Sequence, residues 1–270
     1  MDASLILLIP IAILISTVSS MTGIGGAVFF SPYFIVVMRI EPLLAFTAGL
    51  FIEVIGFSSG VIGYKREHLI DYALSRKVLA FTIPSSLAGV AIAGYVQNSL
   101  IVVFLIMLLL FHSYGFLTRG IERVPKDPRF MDTDFEHREY ILNRAIRTTS
   151  MLGGLLIGMI SAGLGEINEY NFLENLHLKP GQASGTSFFI LLVTGITCMI
   201  GRIILFIEVD IGELEGILPL VLIAFPCVVI GAQIGVRISE RMSAGRFVHI
   251  VGAIFLIISV LTAYEVFFTH

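Results

Sequence analysis

The sequence predicts an all-α polytopic membrane protein of about eight transmembrane helices, some of them broken or re-entrant half-helices, arranged as two inverted repeats. Three observations carry this expectation. The 270 residues are 56% hydrophobic and 14% charged, whereas a soluble domain carries about 25% charged residues. Apolar stretches close to the roughly 20 residues that cross a bilayer alternate with short polar loops. A glycine- and hydroxyl-rich stretch, Ser19-Ser20-Met21-Thr22-Gly23-Ile24-Gly25-Gly26, has an echo at Ser161-Ala162-Gly163-Leu164-Gly165-Glu166, each within an apolar region. The net charge of -3 is too small to point to nucleic acid or an acidic surface partner. Cys198 and Cys227 sit in apolar runs and read as core.

In chain order, Ser4 to Met21 is the first span; Met1 to Pro10 lacks the basic region of a signal peptide, so this reads as a retained helix. The glycine stretch ends it. Gly26 to Met38 is a half-helix interrupted by Ser31-Pro32. Pro42 suits a first helical turn, and Leu43 to Gly63 is a full span before the charged loop Tyr64-Lys65-Arg66-Glu67-His68. Val78 to Val96 and Leu100 to Leu117, joined at Gln97-Asn98-Ser99, read as a tight antiparallel pair. Arg119 to Arg147 is rich in charge, with Pro125 and Pro128, and is the one substantial extramembrane segment; Asp134 to Arg144 is a candidate surface helix. The second half then repeats the pattern. Thr148 to Gly165 is a span ending at a break, Ile167 to His177 a short piece, and Gln182 to Phe206 a span after Lys179-Pro180-Gly181. Ile217 to Val236 and Phe247 to Phe268 complete it. The organisation is therefore 1–118 as a first membrane repeat, 119–147 as a cytoplasmic linker and 148–270 as a second repeat.

The repeat aligns Pro42 with Pro180 and Ala45 through Phe51 with Ala183 through Phe189. Loop charge sets its orientation, because short cytoplasmic loops carry excess Lys and Arg. The loops with Lys65, Arg66, Arg76 and Lys77, and with Arg237, Arg241 and Arg246, should face the cytoplasm; those at Gln97-Asn98 and Glu208 to Glu213 should face out. The loop after the long second span is basic in one half and acidic in the other, so the halves point in opposite directions, as in many transporters.

In such an arrangement the two breaks meet at mid-membrane. Helices starting near Gly26 and Ile167 would each present unpaired N–H groups and a partial positive charge, which favours an anion. Gly23, Gly25, Gly26, Gly163 and Gly165 allow close approach to backbone, while Ser19, Ser20, Thr22, Thr47, Ser161, Thr186, Ser187 and Asn168 can orient a substrate. Close helix packing is the duller account of the glycines. Gly23-Ile24-Gly25-Gly26 followed by Pro32, Pro42 and Ala45, repeated as Ser161-Ala162-Gly163-Leu164-Gly165, Pro180 and Ala183 through Ser187, resembles the sulfite exporter TauE/SafE family of anion permeases over nearly the whole chain. The resemblance implies a multi-pass protein of the prokaryotic inner membrane that moves sulfite or sulfonate-type oxyanions, usually outward.

One stretch departs from that family's pattern. Glu166-Ile167-Asn168-Glu169-Tyr170 places carboxylates at an anion site. Glu166 and Glu169 share a helix face and are candidates for exchanging a proton with substrate movement, or simply for capping a helix start. Glu53 lies alone in the Leu43 to Gly63 span, opposite Leu191 in the repeat, and suits a coupling role. Arg39 and Arg202 read as snorkelling to the interface, or as guides at an entrance. No His-Glu-x-x-His pattern or cysteine pair with ligand spacing occurs, so neither metal nor cofactor is expected. The expected partners are a small anion and the lipid bilayer, and Gly and Ala on several spans would permit a homodimer. Transport by alternating access, with proton coupling, leads. A channel of the same fold is the alternative, and an intramembrane enzyme using Glu53 or Glu166 finds no nucleophile at a recognisable spacing.

Overall fold

The computed structural model describes residues 3–119, 142–176, 178–209, 211–239, 253 and 255–264. These residues form helices α1 (Ala3–Thr22), α2 (Ala27–Pro32, running on as a π-helical turn, Tyr33–Val37), α3 (Pro42–Arg66), α4 (Tyr72–Ala93) and α5 (Asn98–Arg119) in the first half. The second half supplies α6 (Arg144–Ile160), α7 (Leu164–Tyr170, running on as a π-helical turn, Asn171–Asn175), α8 (Pro180–Val209), α9 (Ile211–Ser239) and α10 (Phe255–Tyr264). Among the described residues α1, α3, α4, α8 and α9 are long and apolar enough to cross a membrane, and shorter apolar stretches lie in α2, α5 and α10. Leu14, Phe111, Tyr114 and Leu222 are among many large apolar side chains left exposed. On a soluble protein such a surface would be a liability; facing lipid it is the favourable one. This is a multi-pass membrane protein.

Local chemistry sets the ends of the elements. Pro42 opens α3, where its missing N–H costs nothing, and Lys65 and Arg66 close it at the negative end of the dipole. The Leu74 amide donates to the Asp71 carboxylate at the start of α4 (2.9 Å), and the Ile146 amide donates to Asn143 Oδ1 at the start of α6 (2.8 Å). Pro32 does not interrupt the short helix as its ring predicts. The chain stays helical and absorbs the disturbance by widening to π geometry in the next turn.

Several boundaries differ from expectation. Arg76 and Lys77 lie in the first turns of α4 rather than in a loop, because the Asp71 cap starts that helix early. Tyr64 is not a loop residue but a fully buried member of α3. The second break falls at Ser161 to Gly163, so α7 begins at Leu164 rather than Ile167, and Gly165 is helical. The acidic stretch Glu208 to Glu215 is largely helical, since α8 runs to Val209 and α9 resumes at Ile211. The main partners of α4 are α6 and α8 rather than α5. The candidate surface helix at 134–144 and most of the basic segment 237–246 lie outside the described residues.

Packing places α3 at the centre: 72% of its span is buried, against 33% for α1, 39% for α4 and α8, and 44% for α9. The two most extensive helix pairs are α1 with α9 and α4 with α6, each crossing between the halves. Glycines let these backbones touch. A Cβ on Gly231 or Gly235 would run into the Ile13 or Thr17 carbonyl of α1, and one on Gly89 or Gly158 would strike the facing Leu155 or Ser86 carbonyl.

Backbone details recur at the offset that separates Pro42 from Pro180. Met38 N donates to Tyr33 O and Ile40 N to Phe34 O; Leu176 N donates to Asn171 O and Leu178 N to Phe172 O in the same way. Ala45 N to Glu41 O has its counterpart in Ala183 N to Lys179 O.

Candidate functional site

The first break is a left-handed turn at Gly23 (φ 73°) between α1 and α2; the second combines Ser161 (φ 57°) and Gly163 (φ 99°) between α6 and α7. Ending a helix inside a membrane strands its last carbonyls. Each end is capped by a buried side chain from the long helix that follows the break. The Tyr64 hydroxyl donates to the Ser20 carbonyl at the end of α1. The Arg202 guanidinium donates to the carbonyls of Gly158 (2.9 Å) and Met159 (2.8 Å) at the end of α6, and also to Thr47 Oγ1 (3.0 Å). Tyr64 and Arg202, like Ser20 and Gly158, are separated by the same offset as Pro42 and Pro180. Arg202 is thus not at the interface but fully buried, held by carbonyls at the negative pole of α6. A lone arginine inside the apolar span of α8, at the same offset from a tyrosine as Pro180 from Pro42, was the sequence signal for it.

The start of α7 packs into the first break. A Cβ on Gly165 would lie 2.9 Å from both Gly23 O and Gly25 N, so nothing larger than glycine fits. The Ser187 hydroxyl donates to Gly23 O (3.2 Å), and Ser184 donates to Glu169 Oε1 (3.3 Å). The other Glu169 oxygen would lie 2.6 Å from a Cβ on Gly23. Gly23, Gly25, Gly165, Glu169, Ser184 and Ser187 therefore form one cluster drawn from both halves. Ser184 was not among the expected residues.

Carboxylates face both helix starts. Glu53, 3% exposed, packs against Gly25 and lies beside the amides of Gly26 and Ala27, with no hydrogen bond of ordinary geometry to either oxygen. Glu166 is close enough to Glu53 for the two to repel. The Gly163 amide donates to Glu166 Oε2 (3.1 Å), the carboxylate half of a capping box at the start of α7. Asn168 is fully buried, with neither amide atom hydrogen-bonded.

Four of the remaining expected hydroxyls donate to the chain's own carbonyls. Ser19 donates to Ile24 O (2.7 Å), Thr22 to Val18 O (2.8 Å), Thr47 to Leu43 O (2.7 Å) and Ser161 to Phe46 O (2.9 Å). These protons brace the breaks, and each hydroxyl has lone pairs rather than a free proton to offer a solute. Ser161 and Thr47 sit with Arg202 at the second break. Gly26 caps α2, its carbonyl accepting from Phe29 and Phe30. Thr186 turns away from the cluster and accepts from the Asp71 amide at the start of α4 (3.0 Å).

No curated protein and no solved structure matches the chain. The model of the sulfite exporter TauE/SafE family, however, runs from residue 8 to residue 262, through both breaks and nearly the whole polypeptide, and the chain therefore belongs to that family.

Proposed function

We propose that this protein is a secondary transporter of the prokaryotic inner membrane that exports a small oxyanion, sulfite or a sulfonate, by alternating access of two inverted repeats. The single observation that carries the reading is the seating of α7 in the first break, with Gly165 against Gly23 and Gly25. That contact draws one interrupted segment from each half to one place, as a solute held between rocking repeats requires. Backbone amides at the two helix starts supply the attraction for an anion.

The carboxylates shape how the site works. Glu53 and Glu166 already face the two helix starts, so an entering anion meets negative charge where it would bind. Binding then goes with neutralisation of carboxylate charge, and Glu166 or Glu169 takes up a proton as substrate enters and gives it up as substrate leaves. Such linkage couples anion movement to a cation gradient instead of leaving an open pore.

Purified protein in proteoliposomes tests this. Sulfite flux should saturate with concentration, be inhibited by sulfonates, and respond to an imposed pH gradient. Flux linear in concentration and indifferent to the gradient would favour a channel of the same fold.

A further inference from the structure

A small cavity between α1, α2, α3 and α9 is lined by Ser16, Ser19, Ser20 and Gly26, with Glu53, Phe30 and Val228 among its walls. Its volume of about 10 Å³ is that of a single water molecule. Three of the polar groups facing it share one property. Ser16 donates its proton to Val228 O (2.7 Å) and Ser19 donates to Ile24 O (2.7 Å), so both hydroxyls have only lone pairs left for the cavity. The Glu53 carboxylate is an acceptor by nature, is 3% exposed, and has no hydrogen-bond partner on either oxygen. The neighbouring charge that acts on it is Glu166, also negative.

A buried space on which these lone pairs and an unpaired carboxylate converge attracts a positive occupant. Hydroxyl and carboxylate oxygens are the ligands hard cations choose. One carboxylate balances one charge, whereas oxygen sites for divalent ions gather more. The space admits one dehydrated monovalent ion, and the hard oxygen set favours sodium, the smaller and harder of the two common ones. The Gly26 and Ala27 amides lie beside the carboxylate.

We propose that Ser16, Ser19 and Glu53 form a sodium site whose occupancy neutralises Glu53 beside the first break. Its role in coupling rests on the transport reading; the binding itself does not.

The test is the thermal stability of purified full-length protein in detergent, with sodium chloride titrated against choline chloride at constant ionic strength, at two pH values. Sodium should raise Tm saturably, by roughly 5 °C at about a hundredfold over its Kd, and potassium should need at least about tenfold more. Glu53→Gln should abolish the rise. Should that variant fail to fold, Ser19→Ala and Ser16→Ala should each weaken apparent sodium affinity several-fold. Equal Tm in sodium and choline at both pH values overturns the proposal, as does a shift that follows pH alone, which would mean a proton, or an undiminished sodium shift in Glu53→Gln. A sulfite-dependent Tm shift is measured in parallel: its presence without any sodium effect sinks the cation site alone, and a sodium effect without sulfite binding or flux sinks only the transport reading.

Discussion

The Glu53 carboxylate is packed so tightly on Gly25 that a Cβ at residue 25 would lie 2.7 Å from Glu53 Oε1. The far end of a flexible side chain can move, so Gly25→Ala should fold. Its carboxylate would be displaced from α2, however, and misplacing a charged group by an ångström at a working site is costly. We expect sulfite flux through Gly25→Ala to fall at least about tenfold, with a normal gel-filtration profile. Gly25→Leu should abolish flux, and wild-type flux through it would remove the close-approach argument.

Gly23 and Gly163 both have positive φ, 73° and 99°. An alanine at either carries the left-handed penalty of about 1–2 kcal/mol. Gly23→Ala should be the worse, because its Cβ would also lie 2.9 Å from the Ser184 backbone, whereas at Gly163 the nearest atoms, in the Leu156 side chain, lie 3.0 Å away. Melting curves of the two variants in detergent should rank them in that order.

Arg202 makes three charge-assisted hydrogen bonds in the interior. Arg202→Leu leaves two helix-end carbonyls unpaired, at about 1–3 kcal/mol each. Arg202→Lys should recover little of the loss, since an ammonium cannot reproduce the forked geometry. Both variants should melt well below wild type, and a Lys variant of native stability would show that charge alone matters.

The two candidate proton carriers separate structure from coupling. Glu166→Gln keeps an acceptor for the Gly163 amide, so that hydrogen bond survives, whereas Glu166→Ala removes it and should cost about 1 kcal/mol. Glu166→Gln and Glu169→Gln should therefore fold, yet lose the dependence of flux on pH. An unchanged pH profile in both would end their assignment as carriers.

The glycine seams make a further stability prediction. A Cβ on Gly158 would lie 2.9 Å from the Gly89 backbone of α4, so Gly158→Leu should push α4 from α6 and prevent recovery of monodisperse protein. Gly115, where a Cβ would meet nothing within 4 Å among the described residues, should accept alanine without loss.

Much of this protein was legible in its sequence. Apolar run lengths located α1, α3, α8 and α9, because membrane helices must close their own backbone hydrogen bonds and so cannot be much shorter than the bilayer. The family likeness was equally local, carried by glycines at the breaks and prolines at helix starts. Glu53, alone in an apolar run, announced itself because an unpaired carboxylate in lipid is too costly to be casual.

Tertiary structure decided what those residues touch. Side-chain direction and long-range pairing are set by packing between helices far apart in sequence, and no spacing rule reveals them. Arg202 reads as an interfacial side chain until α6 is found to end beside it. Glycines 154, 158, 231 and 235 are generic small residues in the sequence, and only the opposing carbonyls make them obligatory. Ser19, Thr22, Thr47, Ser161 and Ser187, expected to greet a solute, hold the chain's own carbonyls instead, because a helix broken inside lipid must first satisfy itself.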